Sequence, residues 1–82
     1  MIHIDVKLFA ILRDLTGTDS MKLALPEGSS IEDALRSLFE HKTELNQWKE
    51  HVRVAVNCEY RSSSFVLHEG DEIAIIPPVS GG

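Results

Sequence analysis

A single cysteine, Cys58, is all the thiol chemistry in this chain of 82 residues. One cysteine forms no internal disulfide, so stability must come from burial and a reducing compartment is implied. Glu59 follows it, and a carboxylate beside a thiol disfavours the thiolate, which argues against a nucleophile. Basic side chains are also scarce: eight Lys and Arg stand against 13 Asp and Glu, a formal net charge of −5. A binder of phosphate backbones needs clustered cations to displace counterions, so nucleic acid is not an expected partner. An acidic surface suits a basic protein instead. No apolar run approaches the roughly 18–20 residues that span a bilayer. The opening Met1-Ile2-His3-Ile4-Asp5 lacks the basic-then-apolar layout of a signal peptide, so a cytoplasmic protein without membrane contact is expected. His3, His41, His51 and His68 fall on separate predicted elements without the spacing of a zinc site, so no metal is expected. Neither a catalytic triad nor a phosphate loop stands out.

What is present is an ordinary globular composition, 43% hydrophobic and 26% charged, which places the chain among folded domains rather than disordered tails. A chain this short buries only somewhat more than about 60% of its unfolded surface, enough for one core. Ile2, Ile4, Val6 and Leu8 alternate with polar residues, the period of a half-buried strand. Ile11, Leu12 and Leu15 then switch to helical spacing, and Gly17 suits a left-handed C-terminal cap. Met21, Leu23 and Leu25 give a second strand, closed by Pro26-Glu27-Gly28. The main helix is predicted after Ser29-Ser30, with Ser29 and Glu32 as its capping box. Its apolar positions Ile31, Ala34, Leu35, Leu38 and Phe39 form one stripe that faces a sheet.

From His41 to Glu50 the pattern weakens to a loop with one helical turn around Leu45 and Trp48. Val52, Val54 and Val56 give a third strand, and Asn57-Cys58-Glu59 turns into a short irregular strand near Tyr60. Gly70-Asp71 launches the last strand, Glu72 to Ile76. Four to five strands with one principal helix between the second and third predict an α+β fold, a mixed sheet with the helix across one face. The domain is expected to occupy residues 1–76, with the last strand beside the first at the centre. Regular alternation puts Phe9 and Ile76 on the face away from the helix. With Tyr60 they form a candidate apolar interface, since exposed apolar patches often mark partner sites. Asp71 and Glu72, adjacent on a strand, point to opposite faces and fit turn and solvation roles better than acid–base chemistry.

Residues 77–82, Pro77-Pro78-Val79-Ser80-Gly81-Gly82, form the expected tail. Two prolines fix φ near −65° and supply no N–H, which gives a stiff extended stalk reaching roughly 20 Å with its glycines. Gly81 and Gly82 carry no Cβ, so a narrow channel can close around their backbone. The carboxylate at Gly82 is then the least hindered carboxyl group a protein can offer to another enzyme. With an ordinary pKa of about 3.3–3.7 it is ionised and a poor electrophile, so it needs activation.

Three segments in order, Leu8 to Gly17, Ala55-Val56-Asn57, and Leu67 to Gly82, resemble the small, sulfur-carrying subunits of molybdopterin synthases. The resemblance covers nearly the whole chain and implies the ubiquitin-like β-grasp fold. It further implies that an activating enzyme adenylates Gly82 with ATP, that a sulfur donor converts it to a thiocarboxylate, and that this sulfur attacks a cyclic pyranopterin precursor. The substrate would be held by a large partner subunit, with two copies of each in a heterotetramer, and molybdenum cofactor would be the product of the pathway. By the same resemblance Pro77, Pro78, Val79, Ser80 and Gly81 thread the partner's channel, Phe9, Tyr60 and Ile76 meet its surface, and the chain binds no cofactor of its own. Another ubiquitin-like carrier, for thiazole synthesis or lysine conjugation, is the alternative, as is a plain interaction domain whose Gly-Gly is incidental.

Overall fold

Alternation along the first strand is borne out residue by residue in the computed structural model, which describes residues 1–78. Strand β1 (Ile2–Leu8) buries Ile2, Ile4, Val6 and Leu8 and turns His3, Asp5 and Lys7 to the other face. It is followed by α1 (Ile11–Thr16), β2 (Ser20–Leu25), α2 (Ile31–His41), a 3₁₀ segment (Thr43–Trp48), β3 (Arg53–Val56), β4 (Glu59–Tyr60) and β5 (Glu72–Ile76). The five strands form one sheet in the order β2-β1-β5-β3-β4, in which β1 and β5 run parallel and the other pairs antiparallel. This mixed sheet, gripping one long helix, is the β-grasp fold of ubiquitin-like proteins.

One face of the sheet holds the core. Val6 stands beside Ile73, Leu8 beside Ile75, and Val54 and Val56 continue the same rows across β3. Ile31, Ala34, Leu38 and Phe39 of α2 close over them. Each such large side chain is worth about 1.5–3 kcal/mol of burial, so a few rows suffice for a chain this size.

Two expectations about α2 and its continuation need correction. The capping box is Ser30 with Asp33: the Ser30 hydroxyl accepts from the Asp33 N–H at 3.3 Å and the Asp33 carboxylate accepts from the Ser30 N–H at 3.0 Å. Ser29 is instead buried, and its hydroxyl donates to the Pro26 carbonyl at 2.7 Å, which tightens the turn before the helix. Both serines have an acid three residues on, so only the turn decides which one caps. The stretch after His41 holds the expected helical turn, extended to a 3₁₀ segment in place of the flanking loop. Leu45 and Trp48, three apart, match the 3₁₀ repeat, and Leu45 is fully buried against the core cluster.

Two turns lock the central strands. Asn57 and Cys58 both adopt positive φ, the geometry of a tight hairpin between β3 and β4. The Asn57 side chain donates to the Asp71 carboxylate and accepts from the Glu72 N–H, both at 3.0 Å, tying that hairpin to the start of β5. Gly70, at φ 83°, permits the turn in which its N–H bonds His3 and the Asp71 carbonyl accepts from the Asp5 N–H. The other Asp71 carboxylate oxygen accepts from the His68 N–H at 2.8 Å. Asp71 is therefore a turn residue, as its place in the sequence suggests.

Candidate functional site

The face opposite the helix is assembled by the register. Arg53 pairs with Ile76, Ala55 with both Ala74 and Tyr60, and Ala74 with Lys7. Because facing residues in neighbouring strands share a side, Ile76, Ala74, Ala55 and Tyr60 point away from the core. Small alanines at the middle of this face leave it shallow, and Tyr60 stands over it 62% exposed. The Arg53 guanidinium lies over the Tyr60 ring, 5.8 Å from its centroid, within cation–π range.

Phe9 follows Leu8, the register partner of Ile75, and is 46% exposed, so it is not tucked beneath α1. Ala10 behind it takes φ 52°, a sharp bend that ends β1 and starts α1. Tyr60 and Ile76 are brought together with Arg53, Pro77 and Pro78 around a shallow cavity of about 350 Å³. Phe9 lies outside that cavity, near the end of the neighbouring strand. Arg53 was missed by sequence reasoning. Its signal was its position between Val52 and Val54, where a charged residue on an alternating strand must face outward.

The root of the tail is thus placed: Pro77 is half-buried, Pro78 exposed, and both leave the end of β5, a central strand. Val79, Ser80, Gly81 and Gly82, assigned to the channel and the reacting carboxylate, lie outside the described residues. Cys58 is exposed at the tip of the β3–β4 turn. Among the described residues no three His, Cys, Asp or Glu side chains gather as a metal set, and no helix is long and apolar enough to cross a membrane. His3 lies 3.4 Å from Glu69, and His41 Nδ1 lies 2.8 Å from the Ser37 carbonyl. Among the described residues one carboxyl is shifted, and its role is structural. Hydrogen bonding from the Ser30 backbone holds the Asp33 carboxyl below its ordinary value of 3.8, helped by the Ser30 hydroxyl and Arg36 against the opposing cost of desolvation.

Comparison with known proteins agrees with this architecture. The molybdopterin synthase sulfur carrier subunit of Arabidopsis thaliana is 40% identical over 81 residues, covering 99% of this chain and 84% of the relative. Among solved structures, SAMP1 from Haloferax volcanii superposes with a TM-score of 0.88 at 28% identity, covering 98% of this chain and 99% of that one. A chain from the complex of subunits 1 and 2 of the molybdopterin-converting factor of Helicobacter pylori matches with a TM-score of 0.73 at 22% identity, over 99% of this chain and all of that one, a likeness of fold. The ThiS family profile matches residues 6–82, from the middle of β1 through both terminal glycines of the sequence. With that match spanning nearly the whole chain, and with full-length relatives among the molybdopterin synthase sulfur carrier subunits, the chain belongs to the ThiS family.

Proposed function

We propose that the chain is the sulfur carrier of a molybdopterin synthase, and that the carboxyl group of Gly82 is where the sulfur rides. The observation that carries this reading is the full-length similarity to such subunits together with a family match that runs through Gly81 and Gly82. An adenylating partner would join the Gly82 carboxylate to the AMP part of ATP, releasing pyrophosphate. A sulfide-level donor then displaces AMP and leaves the thiocarboxylate. That soft nucleophile delivers its sulfur to a pyranopterin precursor bound by the large subunit, and water restores the carboxylate. Proton transfer and substrate binding fall to the large subunit.

In this scheme the folded domain is a handle. Pro77 and Pro78 continue outward from the central strand β5, which suits a stalk that enters another protein's channel. Phe9, Tyr60 and Ile76, with Arg53 beside them, supply an apolar and partly cationic surface next to the stalk's root. Partner contacts of this kind bury an aromatic anchor within a polar rim.

The test is an intact-mass measurement on the full chain with an adenylating enzyme, ATP and sulfide. The expected product is heavier by the difference between sulfur and oxygen, and it returns to the starting mass on addition of the large subunit and pyranopterin. No gain with an activating enzyme shown to work on another carrier would overturn the reading. The similarity to SAMP1, a small archaeal modifier protein by the name of its close structural match, favours one second reading, lysine conjugation. An isopeptide-linked product in place of sulfur transfer would select it.

A further inference from the structure

The edge of the sheet farthest from Tyr60 carries backbone groups without partners. The Leu8 N–H donates to the Asp19 carbonyl at 2.9 Å, and hydrogen-bonded pairs alternate along an antiparallel ladder. With Lys7 opposite Ser20 and Asp5 opposite Lys22, this phase turns the N–H and C=O of Ser20, Lys22 and Ala24 away from β1. Ser20 shows the direction: its carbonyl accepts from the Thr18 hydroxyl at 2.8 Å, and its N–H donates to the same oxygen at 3.4 Å. Ser20 is closed off in this way. Lys22 and Ala24 have no such cap among the described residues, so four adjacent donors and acceptors face outward.

Beside this edge, between β2 and the C-terminal half of α2, lies a cavity of about 660 Å³. Half-buried Met21 and Leu23 and buried Leu38 give it apolar walls. Among the described residues no carboxylate lines it; His41 and Lys42 stand at its helix side, and Lys22, opposite Asp5, stands on the other face of β2. Lys22 touches Asp5 at 3.1 Å, but both side chains are well exposed, and such a pair exchanges at little cost.

We infer that the β2 edge is a docking strand for an extended segment of another protein in which aliphatic and acidic side chains alternate. Main-chain bonds to Lys22 and Ala24 would add the segment as a sixth strand. Successive side chains of a strand point to opposite faces, so the aliphatic ones enter the cavity and the acidic ones fall beside Lys22. A second copy of this chain is a poor occupant: Lys22 in the middle of the edge would face like charge, the device by which edge strands resist self-pairing. Because β2 and β4 are opposite edges, the segment would leave Tyr60 and the tail root uncovered. The chain could then hold one partner at β2 while another takes the tail.

Titration of the isotope-labelled full chain with the peptide acetyl-Glu-Val-Asp-Ile-Glu-Val-Asp-amide tests this by NMR. Saturable shifts are expected at Lys22, Leu23, Ala24, Leu38 and Lys42, with slowed exchange of the Lys22 and Ala24 N–H groups. The variant Lys22→Glu should weaken binding at least about tenfold with an unaltered circular dichroism spectrum. A peptide N-methylated at alternate amides should not bind, whereas Phe9→Asp should bind as the parent does. No shifts at millimolar peptide, shifts centred on Phe9 and Tyr60, or undiminished binding by Lys22→Glu would each overturn the inference. Sedimentation of the chain alone should show a monomer; a dimer broken by Lys22→Glu or by Ala24→Pro gives the edge to a second copy and overturns it too.

Discussion

The two faces of the central sheet are made by the same strands and behave as different materials. Leu8 is 1% exposed and its neighbour Phe9 46%; Ile75 is fully buried and Ile76 only half-buried. A single step along a strand moves a side chain from a face closed by α2 to one that no helix among the described residues covers. The inner face therefore carries stability and the outer face is free to carry recognition. Hydrophobicity is no guide to which: Phe9 and Ile76 are as apolar as the residues behind them. What separates them is whether another element of the same chain covers them.

The largest effect is expected from the last residues of the sequence. One alanine added after Gly82 should abolish sulfur loading while the thermal midpoint stays where it was, and Gly81→Ala should impair loading by placing a Cβ in the channel. Intact mass and a melting curve on one sample check both, and normal loading of the extended chain would detach the chemistry from the tail. Next in size is the inner face. Ile75→Ala should cost about 2–5 kcal/mol in urea denaturation, and Ile76→Ala less than half as much. Equal losses would mean that the outer face is covered after all.

On the outer face, Phe9→Asp and Tyr60→Asp should leave stability within about 1 kcal/mol, since neither is buried. The same changes should weaken binding of the large subunit by about 10- to 100-fold, read by calorimetry. The smallest effect belongs to the helix cap. Ser30→Ala should cost about 1 kcal/mol. Asp33 has a folded-state pKa below its unfolded value of 3.8, so its contribution is complete above that value and is lost as pH falls through the lower folded one. Acid titration of stability should accordingly be flatter in Asp33→Asn than in the parent; identical curves would show that the cap does not depend on the charge.

Much of the fold was legible because periodicity is local. β1, β2, β3 and β5 were visible as alternation, α2 as a stripe, and Gly17 as the αL cap that α1 in fact uses. The misses came where two local solutions were equally good. Ser29 and Ser30 each precede an acid at the same spacing, and the turn at Pro26 chooses between them. The 3₁₀ segment was legible only as one helical turn, because Leu45 and Trp48 alone mark it in an otherwise polar run and a two-residue signal does not define a period. Of the candidate interface, alternation placed Phe9 and Ile76 outward, but the register alone brought Tyr60 and Arg53 beside Ile76.

By itself the sequence determined the period of the longer strands and of α2, the single core, the acidic net charge and the pair of prolines after β5, because these depend on neighbours a few residues apart. Which strands lie side by side was decided by the tertiary structure. The parallel pairing of β1 with β5 sets Pro77 and Pro78 at the end of a central strand, and the same order leaves β2 with an open edge far from them. Hydrogen-bond partners separated by some 66 positions, such as His3 and Glu69, have no local trace. That pairing buries the apolar sides of both strands beneath one helix, a condition met only when residues far apart in sequence come together.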